Sequence, residues 1–139
     1  MESDLKYQSH QFNRYKYIIE NIKDVIWEIN KDFIFTFISP NAKSMFGYEV
    51  EELVGRRILD FLVEDSRNQI LDLAAQHKRI GGNNKEIVLL VLQFICKNGS
   101  SIWVEISANP MFEQGELIGY IGTTRDITEK KKNESQLEK

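Results

Sequence analysis

Apolar residues near the start of the chain fall at Leu5, Phe12, Tyr15, Ile19 and Ile22, in steps of three and four once the polar Gln8 is counted as a member. That spacing is a heptad seam and predicts an amphipathic helix over 1–22. The stripe serves either its own domain or the matching helix of a second subunit. The period then changes. Val25–Ile29 and Phe33–Ile38 are short runs of β-branched and aromatic residues, and the turn chemistry of Asn30-Lys31-Asp32 between them makes a hairpin. Ser39 is placed to cap a short helix that has Pro40 at its first position and stops at Gly47. Glu49–Val54 supplies another helical turn, ended by Gly55. Asp65-Ser66 opens a third helical segment, with Ser66 and Gln69 as a capping box. Its apolar face is Ile70, Leu73 and Ala74, and Gly81-Gly82-Asn83-Asn84 ends it.

The last third reads as β structure. Ile87–Lys97 is a long strand, and Asn98-Gly99 signals a type I′ hairpin turn, whose two central residues need positive φ. Ile102, Val104, Ile106 and Ala108 alternate with Trp103, Glu105 and Ser107, the pattern of a half-buried strand. Gln114-Gly115-Glu116 turns the chain into a fifth strand, Leu117–Arg125, in which Gly119 and Gly122 mark bends or close backbone approach. Asp126 and Glu129 can cap a final helix, but 130–139 holds one apolar residue, Leu137, and is not expected to stand as an element alone. Strands and helices are segregated along the chain, which predicts an α+β fold with an antiparallel sheet.

Composition narrows the function. At 139 residues the chain suits one domain, and 42% apolar with 28% charged residues gives it a real core. The divisions expected are 1–22 for the N-terminal helix, 23–128 for the core and 129–139 for the start of a C-terminal helix. The longest apolar run, Ile87–Leu92, is far short of the ~20 residues of a membrane span, and no secretory signal opens the sequence. A net charge of −3 gives no footprint for nucleic acid. One cysteine and two histidines exclude a disulfide framework and a multi-ligand metal centre, and the expected setting is a reducing cytoplasm.

An ordered set of short pieces resembles the PAS domain family. They are Asp24-Val25-Ile26-Trp27, Ile38-Ser39-Pro40-Asn41-Ala42, Phe46-Gly47-Tyr48, Glu51-Glu52-Leu53-Val54-Gly55-Arg56, Glu64-Asp65, Lys97-Asn98-Gly99-Ser100, Trp103-Val104-Glu105 and Gly119-Tyr120-Ile121-Gly122, leading into Arg125-Asp126-Ile127-Thr128. The likeness spans about Tyr17 to Lys131. It implies a five-stranded antiparallel sheet in the order 2-1-5-4-3, short helices over one face, a small pocket between them, and an N-terminal flanking helix. It further implies a sensory and dimerisation module that feeds an output domain such as a histidine kinase of a two-component system. Three departures stand out. Glu49 replaces the usual Ser or Thr cap, Leu62-Val63 replaces His-Pro, and Ile87–Leu92 lacks the charges usual in the third strand.

No residue set reads as catalytic. Cys96 has no motif pairing it with His10 or His77, and Glu49, Glu51 and Glu52 read as a solvated face. The family's haem-binding histidine aligns near Asn68, so no haem is expected, and His77 reads as an ordinary surface histidine. The stretch Gly55-Arg56-Arg57-Ile58-Leu59 lacks the thiol of the light-sensing relatives, so no covalent flavin is expected, while a non-covalent small ligand is possible. Candidate apolar pocket walls are Trp27, Ile38, Met45, Phe46, Leu62, Ile70, Leu73, Phe94, Val104 and Ile106. Candidate polar groups are Asn41, Asn68, Gln93 and Ser107. Asp126, Ile127 and Thr128 are the expected joint to the output. In the implied order the Ile87–Cys96 strand is an edge strand apolar on both faces, which calls for a cover. The helix carrying Leu5, Phe12, Tyr15, Ile19 and Ile22 is the spare apolar element, and a homodimer built on it covers both copies together.

Overall fold

The computed structural model describes residues 23–80 and 87–137. The helix expected over 1–22, with all five of its seam residues, and the Gly81–Asn84 stop lie outside the described residues.

Five strands form one antiparallel sheet in the order β2-β1-β5-β4-β3, as expected. They are β1 Val25–Asn30, β2 Phe35–Ile38, β3 Val88–Ile95, β4 Ser101–Glu113 and β5 Glu116–Asp126. Between β2 and β3 lie α1 Ala42–Phe46, α2 Val50–Leu53, a 3-10 turn Ile58–Phe61 and the long helix α3 Glu64–Ile80; α4 Thr128–Leu137 follows β5. One face of the sheet carries the core. Val25, Trp27 and Ile29 of β1, Leu92 and Phe94 of β3, Val104, Ile106 and Ala108 of β4, and Tyr120 and Thr124 of β5 are all buried there. α3 lays Ser66, Ile70, Ala74 and His77 onto that face, a stripe of helical period. Away from α3 the core is aromatic: Phe46 and Phe94 stack at 3.9 Å between centroids, and Phe61 lies parallel to Phe94 at 5.6 Å.

Several local expectations are corrected. Ser39 does not cap α1, whose N-cap position is Asn41. Ser39 Oγ instead accepts the Ile26 N–H at 2.9 Å and donates to Asn41 Oδ1, tying the helix start to β1. Ser66 is not a cap either: it sits inside the first turn of α3 and accepts the Gln93 N–H of β3 at 2.9 Å. Glu49 keeps some capping, because the Glu52 carboxylate accepts its N–H at 3.0 Å. At Asn98-Gly99 only the glycine is left-handed, φ 88°, and Asn98 Oδ1 instead holds the Ser100 N–H. The turn with two left-handed central residues is Gln114-Gly115, φ 51° and 81°, which makes the tight link from β4 to β5. The tail after Asp126 is helical through Leu137, since its first turn is anchored to β4 rather than free.

Gly122 decides how closely the three central strands pack. A Cβ there would run into the Ser107 carbonyl and would sit 3.0 Å from the Trp27 ring. Neither obstacle is the loose end of a flexible side chain. Gly122→Ala is therefore expected to destabilise the fold by ~1–3 kcal/mol, the usual range for overpacking. A urea titration followed by tryptophan fluorescence measures it, and an unchanged midpoint would contradict this account of the glycine.

Candidate functional site

Between the sheet and α3 lies a cavity of about 30 Å³. Its floor is the sheet, through Trp27, Ile29, Leu90, Ile106, Ala108 and Tyr120. Its roof is Ile70 and Leu73 of α3, with Ile58 closing one side from the 3-10 turn. The wall is apolar throughout, the kind of surface that keeps a cavity dry. A second gap of about 10 Å³ lies deeper, among Phe35, Ile38, Phe46, Phe94, Val104 and Thr124. Trp27, Ile58 and Ile106 line both. Trp27 is held by its indole N–H, which donates to Thr124 Oγ1 at 2.8 Å in the buried interior.

Of the expected wall residues, Trp27, Ile70, Leu73 and Ile106 come together at the larger cavity, and Ile38, Phe46, Phe94 and Val104 at the smaller one. Leu62 is fully buried in the core, paired across an isolated bridge with Phe94, and lines neither. Met45 is half-buried on the outer side of α1, where it borders a surface groove with Cys96.

The four polar candidates do not reach the cavity. Asn68 is exposed, because it lies on the opposite face of α3 from Ser66 and Ile70. Gln93 and Ser107 point to the other side of the sheet, since Leu92, Phe94, Ile106 and Ala108 take the inward positions and strand side chains alternate. Asn41 lies against the chain just before the start of β1, where its amide donates to the carbonyls of Asp24 and Lys23 at 2.8 and 3.4 Å.

A buried polar pair beside the cavity was not expected: Tyr120 forms part of the cavity floor, and His77, which does not line the cavity, meets its hydroxyl from α3. His77 is 4% exposed, not a surface residue, and its Nδ1 lies 2.6 Å from the Tyr120 hydroxyl. His77 follows Leu73 and Ala74 by one helical turn, so it falls on the apolar stripe. Its neighbours Lys78 and Arg79 give that sequence a surface look, while Tyr120 sits between two glycines. Burial pushes the Tyr120 hydroxyl up to about 12 and holds His77 below its ordinary 6.5, so both are neutral near pH 7.

At the far end of β5, Asp126 Oδ1 accepts the Thr128 N–H at 2.9 Å and thereby caps α4. Ile127 N–H donates to the Trp103 carbonyl at 2.9 Å, Thr128 Oγ1 accepts the Trp103 N–H at 3.1 Å, and Lys131 Nζ lies 5.0 Å above the Trp103 ring. Arg125, not Asp126, carries the ion pair here, meeting both carboxylate oxygens of Asp24 at 3.2 Å. Among the described residues no group of three or more His, Cys, Asp or Glu is placed to hold a metal ion.

The buried histidine sets a pH dependence. Below pH 6.5 the unfolded chain binds a proton at His77 that the folded chain resists, so stability is full above 6.5 and falls as the pH drops toward the folded-state value. Melting temperature should therefore decline between pH 7.5 and 5.5, with a shallower decline in His77→Phe. Equal slopes in the two proteins would contradict the assignment.

Comparison with known proteins fits this architecture. The PAS fold family model matches residues 13–127. Sporulation kinase C of Bacillus subtilis (strain 168) is 23% identical over 140 residues, covering 98% of this chain and 31% of that protein. Oxygen sensor protein DosP of Escherichia coli (strain K12) is 29% identical over 101 residues, 72% of this chain and 12% of that protein. The chain thus spans less than a third of either relative. Among solved structures, the PAS domain of an HTR-like protein from Haloarcula marismortui superposes with a TM-score of 0.73 at 20% identity, over 91% of this chain and all of that one. With its sheet order, its helices on one face and the family match over most of its length, the chain belongs to the PAS fold family.

Proposed function

We propose that this domain is a sensor that takes a small, mostly apolar molecule beneath α3 and passes the change to an output domain through α4. The observation that supports it most directly is the course of β5. Tyr120 of β5 forms part of the cavity floor, and the same strand runs without a break to Asp126, where α4 is capped and pinned to β4. A shift at the cavity therefore has a stiff route to the Asp126-Ile127-Thr128 joint. The output domain belongs to the same parent protein, as in the kinase and sensor relatives, and catalysis resides there. The proposed setting is the cytoplasm. Among the described residues no helix is long and apolar enough to cross a membrane.

Haem and covalent flavin do not fit these residues. Asn68 at the haem position is exposed, His77 is engaged with Tyr120, no thiol follows Arg56, and the space is about 30 Å³.

The domain also pairs with a second copy. On the outer face of the sheet Leu89 is 71% exposed, beside exposed Ile87 and Val91. The N-terminal stripe of Leu5, Phe12, Tyr15, Ile19 and Ile22, which lies outside the described residues, is the apolar element proposed as the partner of this face in the dimer. A second reading, a ligand-free dimerisation and relay module, is favoured by the smallness of the cavity.

A native mass spectrum of the purified protein at micromolar concentration separates these readings. The expected spectrum shows twice the chain mass with a stoichiometric small-molecule adduct. A dimer without adduct favours the second reading, and a bare monomer overturns dimerisation. The joint is tested by Asp126→Ala, which should cost ~1 kcal/mol of stability through the lost cap. In the parent protein it should also disconnect stimulus from output; normal signalling at reduced stability would contradict the joint.

A further inference from the structure

Two ties hold α3 against the sheet, and the cavity roof lies between them. Near the helix start, Ser66 Oγ accepts the backbone N–H of Gln93, and the preceding Val63 N–H donates to the Gln93 carbonyl. Near its end, His77 meets Tyr120 at 2.6 Å. Ile70 and Leu73 form the roof between these points.

The ties differ in what can replace them. Breaking the first orphans strand backbone groups, which no guest in the cavity reaches. The second joins two side chains, and a hydroxyl both donates and accepts. A guest with one such group can take the place of His77 and leave the Tyr120 hydroxyl satisfied. A guest without one cannot, and a buried hydroxyl left unpaired is penalised.

Size makes the exchange necessary. A benzene-sized guest needs on the order of 150 Å³, several times the cavity volume of about 30 Å³. An aromatic guest must therefore lift the roof, and the end free to lift is the one held by His77. The wall carries no charged side chain, and burial keeps both His77 and Tyr120 neutral, so a charged guest would find no partner.

Building on the sensing function above, we propose that Tyr120 is the hydrogen-bond partner of the ligand, and that the site selects a small, neutral ring compound bearing one hydroxyl-like group, which displaces His77 and releases the C-terminal half of α3. His77 is then the competitor that sets the threshold of response.

Phenol, benzene and benzoate are the probes. The Trp27 indole N–H, hydrogen-bonded to Thr124 at the cavity, supplies an NMR reporter in the intact chain. Phenol should shift it saturably at a concentration at least tenfold below that needed for benzene, and benzoate should leave it in place. Amide exchange over 74–80 should quicken with phenol. Tyr120→Phe should abolish the preference for phenol over benzene, whereas His77→Ala should lower the phenol concentration needed by removing the competitor, with the preference over benzene kept. If Tyr120→Phe does not fold, His77→Ala decides alone. Equal binding of phenol and benzene to the unaltered protein would overturn the polar end while leaving the sensing function intact. Benzoate binding as well as phenol would overturn the neutral class, and silence with all three probes would overturn the inference, while the sensing function is decided separately by the native mass spectrum.

Discussion

The Trp27 ring passes over β5 at Gly122, a position that has no side chain. Gly122 lets the indole settle onto the central strand, and Thr124 two residues on receives its N–H. The rest of the core takes its spacing from this contact. β1 and β4 flank β5 through Trp27↔Gly122 and Ala108↔Gly122, so the small residues at 108 and 122 lie beside one large ring. Both gaps in the core are bounded by that ring, and their size follows from how little room it leaves.

Helix α3 has a different standing from the strands. Its face toward the sheet is only partly apolar, and two hydrogen-bonded side chains, Ser66 and His77, lie within the buried stripe. Buried polar groups of this kind contribute little net stability but fix one arrangement against its neighbours, because sliding the helix would leave them unpaired. The sheet is thus the rigid member of the fold, and α3 is a positioned one, with its register set by two points of contact.

Much of this was legible in the sequence, and the exceptions have physical causes. Alternation in β1 and β4 placed Trp27, Val104 and Ile106 inside because burial on one face imposes a period of two. The same parity applied to Gln93 and Ser107 points them outward; polarity alone does not say which face of a strand a residue takes. Asn68 failed by the same test at helical period, two residues from both Ser66 and Ile70. His77 obeys that period but lies beside two basic residues, and local composition masked its position. Ser39 and Ser66 have the right chemistry for caps, yet each found a strand N–H instead, and such a tertiary competitor leaves no trace in a local motif. The interior volume and the His77–Tyr120 contact join residues far apart in sequence, which spacing rules do not reach.

The ion pair between Asp24 and Arg125 joins the opening of the first strand to the close of the last. Entrance and exit of the folded unit therefore lie side by side, with everything between them forming a closed excursion. A longer chain can carry such a unit as an insertion between two segments without pulling those segments apart, and copies can be strung in series with their connections all on one side. That makes the domain exchangeable among receptors of different output, a property of where its ends meet and not of what its interior binds.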